Sequence, residues 1–294
     1  MKNSTTLHRD NLKDWPVITA MVTPFSETGV DDDALKFLVK QQQDQGCGVL
    51  ILGSTGEAFS LTPQERSAVL ELAQKMDLTV PLVVGVTDCS HERVLENIRQ
   101  VNDRQVQAIL ISLPPYFRPG PEGQKEFFDS VLNASNHPVI LYNHPGRAGV
   151  AIAAEVISAL ATHPNLLAVK HSAPGLDVLQ EIKKKAPQVP IYLGDDSLFH
   201  AYAKEGVVGL ISVMANAWPE KTKAYVKGSM AGSVKDPLDI FEGLEQTVNP
   251  IPIKMVLSHL FEIRPDVRLP LSLKDLSSIE KIEDSIHGME NWFV

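Results

Sequence analysis

The sequence predicts an α/β fold, a (β/α)8 TIM barrel followed by a C-terminal helical appendage. Three observations lead to this prediction. Short, continuously apolar, β-branched runs recur along most of the chain, and helix-like segments separate them. The third observation is their number, because eight such runs occur before the pattern changes to helices alone.

The eight apolar runs have the composition of strands that are covered on both faces. They span residues 17–22, 48–52, 82–86, 108–111, 139–142, 166–170, 191–193 and 207–213. Their starts lie about 16 to 34 residues apart, which leaves room for the loop, helix and loop of a parallel βα unit. Eight right-handed units close most naturally into a barrel. An open doubly wound sheet is the alternative, but no Gly-x-Gly-x-x-Gly follows the first run.

The segments between the runs carry helix start signals. They span residues 32–45, 62–75, 91–104, 123–134, 153–161 and 177–186. Thr62 is followed by a proline and, three residues on, by Glu65, which is the pattern of a capping box, and Ser90 is a second cap candidate. After the eighth strand, helices are predicted at 220–230, 237–246 and 253–261, with a polar helix near the end. We therefore expect a catalytic barrel over residues 1–232 and a helical region over residues 233–294.

Composition and charge argue against several functional classes. The chain of 294 residues carries a formal net charge of −9, so it lacks the basic surface that nucleic acids require. No run approaches about 18 uninterrupted apolar residues, and the first residues lack a hydrophobic signal core, so we expect a cytoplasmic protein without a membrane segment. Cys47 and Cys89 stand far apart without a metal-binding pattern, which argues against a disulfide scaffold or structural zinc.

The ends of the predicted strands carry the candidate catalytic residues, since the active site of a barrel lies there. Lys170 ends the apolar run LLAVK, where an ammonium ion is costly to bury. Burial favours the free amine, which is a nucleophile; the alternative is a lysine whose charge reaches the barrel mouth. Tyr142 ends the preceding strand, where its hydroxyl could transfer protons to a carbinolamine or make one structural hydrogen bond.

Two loops offer groups that suit carboxylates. The turn at residues 53–57 contains Ser54 and Thr55, and its glycines and N–H groups suit a small carboxylate, although these residues are also ordinary turn formers. Arg147 lies five residues beyond Tyr142 and is a candidate clamp for a second carboxylate, or a solvated surface arginine.

Polar residues near the other strand ends have less specific roles. Gly194 begins the Gly-Asp-Asp sequence after the seventh strand and is a candidate substrate-binding residue. Asp195 and Asp196 are interpreted as acids that orient a loop or cap a helix, because no His, Cys or third acid follows them at a spacing typical of metal-binding sites. His144 and His171 flank the predicted site, but either could simply be packed there.

Five motifs occur in order at consistent barrel positions. They are GSTGE after the second strand, YNHPGRAG around Tyr142, VKHS around Lys170, GDD after the seventh strand and GLISVMAN at the eighth. Together they resemble the dihydrodipicolinate synthase and N-acetylneuraminate lyase family of class I pyruvate aldolases over nearly the whole chain. NPIPIK from residue 249 and RLPL from residue 268 look like the synthase branch.

The resemblance implies a reaction and a set of residue roles. It implies that pyruvate forms an imine on Lys170 and condenses with aspartate semialdehyde, without cofactor or metal, in a homodimer or homotetramer. Tyr142 would be the acid–base residue and Ser54 part of a proton relay. The implied substrate-binding residues are Thr55 and its turn for the pyruvate carboxylate, Ile211 through its backbone, Arg147 for the carboxylate of aspartate semialdehyde, and Gly194.

Some positions depart from the synthase pattern. Phe117 stands where the synthases have a second tyrosine that reaches across a dimer interface to complete the relay. His171 replaces an acidic residue, and Pro63 and Arg66 stand where lysine-sensitive synthases have histidines. These departures leave two alternatives: a lyase for 2-keto-3-deoxy sugar acids or N-acetylneuraminate-type substrates, and a barrel that binds keto acids without turnover. The aldehyde partner and feedback control by lysine stay open.

Overall fold

The computed structural model describes residues 5–235 and 238–292, and its centre is a closed barrel of eight parallel strands. The barrel strands are β1 (Val17–Ala20), β4 (Gly48–Ile51), β5 (Leu82–Gly85), β6 (Ala108–Ser112), β7 (Val139–Asn143), β8 (Leu166–His171), β9 (Ile191–Leu193) and β10 (Gly209–Ser212). Each is hydrogen-bonded to its neighbours in chain order, and β10 closes the barrel on β1. The predicted fold is confirmed, because each predicted apolar run overlaps one barrel strand, with β6, β7 and β8 one residue longer than predicted.

Helices surround the barrel. They are α1 (Asp32–Gln45), α2 (Pro63–Lys75), α3 (His91–Asn102), α4 (Pro121–Ala134), α5 (Pro145–Ala148), α6 (Ala154–Leu160), α7 (Leu176–Lys185), α8 (Phe199–Tyr202) and α9 (Pro219–Ala231). The capping box predicted at the start of α2 is present, since Thr62 and Glu65 each accept a hydrogen bond from the other's backbone N–H. Among the described residues, no helix combines the length and apolarity that crossing a bilayer requires.

Two small elements precede the first helix and were not predicted. The two-residue strands β2 (Phe25–Ser26) and β3 (Gly29–Val30) form an antiparallel ribbon after β1. A 3-10 helix, Arg9–Asp14, lies before β1 and packs against the amino-terminal end of the barrel. There the hydroxyl of Tyr192 donates hydrogen bonds to the carbonyl groups of Leu12 and Trp15, at 3.0 and 2.9 Å. This segment therefore covers the end of the barrel opposite the predicted site.

Three helices follow the barrel: α10 (Leu238–Leu244), α11 (Ile251–Phe261) and α12 (Glu280–Asn291). The predicted helix start at Pro237 lies outside the described residues. The N–H of Gly243 on α10 donates to the hydroxyl of Ser285 on α12, at 3.2 Å, so these helices pack closely. The segment that leads into α11 returns to the carboxyl ends of the strands, as the contacts of Asn249 and Lys254 show below. The division at residue 232 stays a prediction.

Candidate active site

A cavity of about 160 Å³ opens at the carboxyl ends of the barrel strands. The predicted residues that line it are Ser54, Thr55, Tyr142, Arg147, Lys170 and Gly194. Six residues from five different loops or strands thus meet in one space, as the barrel fold requires of an active site. The alternative of an exposed, snorkelling Lys170 is not what the structure shows, since this side chain is only 4% exposed.

Lys170 and Tyr142 form the centre of the site. They are paired in register on the adjacent strands β8 and β7, so their side chains point to the same side of the sheet. The Nζ atom of Lys170 lies 4.3 Å from the centroid of the Tyr142 ring. The amine therefore lies against the face of the Tyr142 ring, and both side chains line the cavity.

Gly194 lies against the aliphatic part of Lys170. A Cβ atom placed on this glycine would overlap Cε of Lys170 and the hydroxyl of Ser172. Only glycine lets the chain after β9 approach Lys170 so closely, because any larger residue would displace the lysine side chain. The structure thus gives Gly194 a role in placing Lys170, and direct contact with a substrate stays a prediction.

The turn after β4 is held from two sides. Thr55 is buried, and its hydroxyl oxygen accepts a 2.8 Å hydrogen bond from the side-chain amide of Asn249. The turn ends at Glu57, which adopts the left-handed conformation with φ of 51°. The Glu57 carboxylate is buried against the Lys254 amine, at 2.5 Å, and accepts a 2.8 Å hydrogen bond from the N–H of Arg268. The C-terminal region therefore fixes the turn that presents Ser54 and Thr55.

Asn249 is a site residue that the sequence interpretation missed. It lines the cavity, bonds Thr55, and its carbonyl oxygen accepts a 3.3 Å hydrogen bond from Nη2 of Arg147. Its Oδ1 atom is buried without a hydrogen-bond partner in the described part of the chain. The NPIPIK motif was recognisable, but nothing in the sequence indicated that it returns to the barrel mouth.

Arg147 lies at the mouth of the cavity on α5, immediately after β7. Its side chain is exposed and lines both the main cavity and an adjoining groove. The groove is lined by Phe59, Pro115, Pro270 and Leu271, and it shares Ser54, Tyr142 and His144 with the cavity. A guanidinium at this junction can bind a carboxylate of a molecule that enters towards Lys170.

The two histidines that flank the site have different surroundings. His144 lines the cavity, and its ring meets the Tyr142 ring edge-on with 5.5 Å between centroids. His171 follows Lys170 on β8 and so points to the opposite side of the strand, where its Nδ1 lies 3.2 Å from the Asn143 side-chain amide. Burial lowers the pKa of each imidazole to about 4, and Arg147 and Lys170 add to the effect at His144. Both rings are neutral at pH 7.

The acids after β9 include one that orients a neighbouring loop. Asp196 is buried, and its carboxylate accepts hydrogen bonds from the Ser212 hydroxyl and from the N–H groups of Val213 and Met214, at 2.8 and 3.1 Å. Asp195 and Asp196 also line the cavity. No group of three or more His, Cys, Asp or Glu side chains within residues 5–235 and 238–292 could hold a metal ion.

The position of Ile211 supports a structural role. Its side chain is fully buried on β10, and it is paired in register with Ile18 of β1. The residues of this segment that line the cavity are Val213 and Met214. Contact between pyruvate and the backbone of Ile211 stays a prediction.

The loop after β6 presents two aromatic side chains to the surface. Tyr116 is 90% exposed and Phe117 66% exposed. Tyr116 has a φ of 84° and Arg118 a φ of 49°, a backbone conformation that is costly for residues with a side chain. Such strain at an exposed tyrosine next to a site suggests a functional role for the residue.

The sequence and the fold were compared with those of known proteins. The sequence model of the Dihydrodipicolinate synthetase family matches residues 15–288. A 4-hydroxy-tetrahydrodipicolinate synthase of Chlamydia pneumoniae is 38% identical over 94% of this chain and 96% of its own length. The corresponding synthase of Francisella philomiragia is 36% identical over the same shares.

Solved structures agree with these sequence matches. A dihydrodipicolinate synthase of Aquifex aeolicus superposes with a TM-score of 0.86 and 28% identity, over 94% of this chain and 97% of the other. The enzyme of Acinetobacter baumannii, solved in complex with pyruvate, superposes with a TM-score of 0.85 and 26% identity, over 94% and 98%. The likeness extends over both the barrel and the C-terminal helices.

Proposed function

Because the chain belongs to the dihydrodipicolinate synthetase family, we propose that it is a synthase that condenses pyruvate with aspartate semialdehyde through a Schiff base on Lys170. The observation that carries the proposal is the buried Lys170 amine, held over the Tyr142 ring at the floor of a cavity with Arg147 at its mouth. Relatives named 4-hydroxy-tetrahydrodipicolinate synthase and a neighbour solved with pyruvate support the choice of substrates.

The first half of the reaction uses the floor of the cavity. The Lys170 amine attacks the keto carbon of pyruvate to form a carbinolamine, and loss of water gives an iminium ion. Tyr142 is close enough to Nζ to protonate the departing hydroxyl and to exchange protons with the intermediates. The turn that contains Ser54 and Thr55 offers N–H and hydroxyl groups to the pyruvate carboxylate. Loss of a proton from the methyl group then gives the enamine.

The second half uses the mouth of the cavity. The enamine carbon attacks the aldehyde of aspartate semialdehyde, and the amine of that substrate then displaces Lys170 as the ring closes. Arg147 is placed to bind the carboxylate of the second substrate, since it lies at the junction of the cavity and the groove. This charge at the mouth favours an acidic aldehyde over an uncharged polyol.

The third hydroxyl of the proton relay has two candidate positions. The sequence resemblance assigns it to position 117, where this chain has phenylalanine. The structure offers Tyr116 instead, because this tyrosine is exposed, has a strained backbone and does not line the cavity of its own chain. We propose that Tyr116 of one subunit completes the relay in a second subunit.

Assembly into a homodimer or homotetramer is part of this proposal. Large side chains are exposed at this groove and next to it, since Phe59 lines the groove and Tyr116 and Leu269 are the chain neighbours of the groove residues Pro115 and Pro270. Such a patch beside an active site is typical of a subunit interface. Size-exclusion chromatography with light scattering would give the assembly, and a monomer at micromolar concentration would contradict it. Localisation in the cytoplasm stays a prediction from the sequence.

A trapping experiment tests the proposed chemistry. Borohydride reduction in the presence of pyruvate should leave a stable adduct on the peptide that contains Lys170, and Lys170→Ala should leave none. Lys185→Ala, at an exposed lysine that pairs with Glu155, is the control and should trap normally. An adduct on another lysine would contradict the mechanism.

The identity of the second substrate requires a separate measurement. Pyruvate consumption should be followed with aspartate semialdehyde and with a panel of sugar-derived aldehydes. Turnover of aspartate semialdehyde with at least a tenfold preference over the sugars is expected. If pyruvate is trapped but only sugar aldehydes react, the sugar-acid lyase should replace the synthase.

A further inference from the structure

His144 occupies a position in the cavity that the reaction above does not use. It is the second residue after Tyr142, so its side chain points to the same side as that tyrosine. The two rings meet edge-on, with centroids 5.5 Å apart and planes at 80°. His144 lines both the cavity and the adjoining groove, as Arg147 does. His144 therefore lies at the junction between the groove and the cavity that contains Lys170.

The two nitrogens of the ring are not equivalent. Nδ1 is buried without a hydrogen-bond partner among the described residues, and the ring packs over Gly146. A buried N–H without an acceptor is rarer and more costly than a buried acceptor without a donor. The ring also lies near the backbone of His144 itself, but this contact forms no hydrogen bond to Nδ1, so we assign the proton to Nε2.

The surroundings keep the ring neutral. Burial, together with the positive charges of Arg147 and Lys170, lowers the pKa of His144 to about 4. The acidic groups that line the same cavity are Asp195, Asp196 and Glu245. They do not reverse the shift, because Asp196 is engaged with the loop after β10 and none of the three contributes to the pKa shift of His144. A neutral imidazole that donates from Nε2 can polarise a carbonyl group without becoming charged.

We propose that the neutral Nε2–H group of His144 donates a hydrogen bond to the aldehyde oxygen of the second substrate while the carbon–carbon bond forms. The inference rests on the proposed function and deepens it by adding a catalytic residue. When the enamine carbon bonds to the aldehyde carbon, the π electrons of the carbonyl move to its oxygen and the enamine nitrogen becomes an iminium ion. The oxygen takes its proton from Tyr142. His144 keeps its own proton and stabilises the negative charge that develops.

Three neighbouring side chains then have separate tasks along the path of the second substrate. Arg147 binds its carboxylate at the cavity mouth, His144 binds its aldehyde oxygen, and Tyr142 supplies the proton above Lys170. Their order along the chain, at 142, 144 and 147, is also the order of increasing exposure, since Tyr142 is buried, His144 is half-buried and Arg147 is exposed. One strand end and one short helix thus place all three groups.

The test compares three variants in the intact enzyme. His144→Phe keeps an aromatic ring and removes the N–H group, while His144→Gln keeps a donor. His91→Phe is the matched control, because His91 also meets an aromatic ring edge-on, that of Phe127 at 5.7 Å, but does not line the cavity. For each protein, trapping of pyruvate on Lys170 and kcat for condensation with aspartate semialdehyde are measured.

The expected result separates the two steps. His144→Phe should lower kcat about tenfold to a hundredfold, as loss of one donor to a developing oxyanion does, while pyruvate is trapped at the wild-type rate. His144→Gln should recover part of the loss, and His91→Phe should behave as wild type. Equal kcat in His144→Phe and wild type would overturn the inference. Equal losses in the Phe and Gln variants, or a parallel loss of trapping, would make His144 structural.

A second measurement does not depend on the aldehyde. The 15N chemical shifts of His144 should report a neutral ring protonated at Nε2 from about pH 5.5 to 8. A cationic ring, or a proton on Nδ1, would overturn the inference. Failure of the wild type to turn over aspartate semialdehyde would instead contradict the proposed function, and the tautomer would still decide whether His144 can act as a donor.

Discussion

The packing of Gly194 against Lys170 leaves room for a hydrogen atom at this position of the site but not for a methyl group. The glycine backbone lies where a Cβ atom would overlap the lysine stem and the Ser172 hydroxyl. The hydroxyl of Ser172 is itself buried without a hydrogen-bond partner in the described chain. A shift of the Lys170 side chain to relieve such an overlap would change its position against the Tyr142 ring.

Gly194→Ala should therefore slow the trapping of pyruvate by at least tenfold, because overpacking must displace Lys170. The rate of borohydride trapping measures the effect. Gly120→Ala is the control, since a Cβ atom at Gly120 would meet nothing within 4 Å and its φ of −71° suits any residue. Normal trapping in Gly194→Ala would mean that Lys170 has more freedom than the structure shows.

Arg147→Ala should weaken the use of aspartate semialdehyde far more than the reaction with pyruvate. A charge-assisted hydrogen bond to a carboxylate is lost, which at this exposed position should cost about tenfold to a hundredfold in kcat/KM for the aldehyde. Trapping of pyruvate should be unchanged. Arg99→Ala, at an exposed ion pair with Glu92, serves as the control. Equal losses in both steps would show that Arg147 acts on pyruvate or on the fold.

Tyr116→Phe removes only the hydroxyl group that we assign to the relay. It should lower kcat for condensation by about a hundredfold, the lower limit of general acid–base contributions, without affecting the binding of pyruvate. Phe117→Tyr is the companion variant and should leave kcat nearly unchanged. A rate increase in Phe117→Tyr, with no loss in Tyr116→Phe, would show that the relay uses position 117 and not Tyr116.

At the scale of elements, a buried ion pair joins the turn after β4 to helix α11. Glu57 and Lys254 are 1% and 2% exposed at their side chains, and the Lys254 amine also donates a 2.7 Å hydrogen bond to the carbonyl of Asp266. The amine lies 4.1 Å from the ring centroid of Phe25 on β2. Burial lowers the pKa of Lys254 to about 8, and the nearby Glu57 carboxylate opposes this shift, so the amine is mostly protonated at pH 7. Three elements are thus fixed around one charge pair.

Breaking this pair from one side should be costly. Glu57→Gln or Lys254→Met alone leaves an unpaired buried charge, for which about 3 to 5 kcal/mol of unfolding free energy is commonly lost. The double variant should recover a large part of that loss, and chemical denaturation of all four proteins measures the coupling. Simple addition of the two single losses would show that the charges do not interact.

At the scale of the whole molecule, two neutral histidines link stability to pH. The pKa of His144 and of His171 is lowered to about 4 in the folded chain, against 6.5 for a free imidazole. Between these values the unfolded chain binds more protons than the folded chain, so the free energy of unfolding falls as the pH is lowered through that window. The stabilisation is fully present above about pH 6.5 and is lost towards pH 4.

His171→Gln should make this dependence less steep. In this variant one buried imidazole no longer takes up a proton on unfolding. The free energy of unfolding should therefore fall by about 2 kcal/mol less than in the wild type when the pH is lowered from 6.5 to 4. Denaturation at several pH values measures the slope. His91→Gln, at an exposed histidine, is the control and should keep the wild-type slope. An unchanged slope in His171→Gln would mean that its ring is already protonated in the folded state.

The eight strands, their parallel order and the residues at their ends could be predicted from the amino-acid sequence. Continuous apolar runs mark strands that are buried on both faces, and barrel closure brings their carboxyl ends together, so Lys170 and Tyr142 could be placed side by side from their positions in the runs. The ribbon of β2 and β3 was missed because two-residue strands carry no periodicity.

The way in which the C-terminal region completes the site is visible only in the folded chain. The bonds between Thr55 and Asn249 and between Glu57 and Lys254 join residues that are 194 and 197 positions apart. Local patterns report which face of a strand or helix is buried, but they do not report which distant side chain meets it there. The protonation of His144 was undecided for the same reason, because it depends on burial and on Arg147 and Lys170, which only the folded chain brings around the ring.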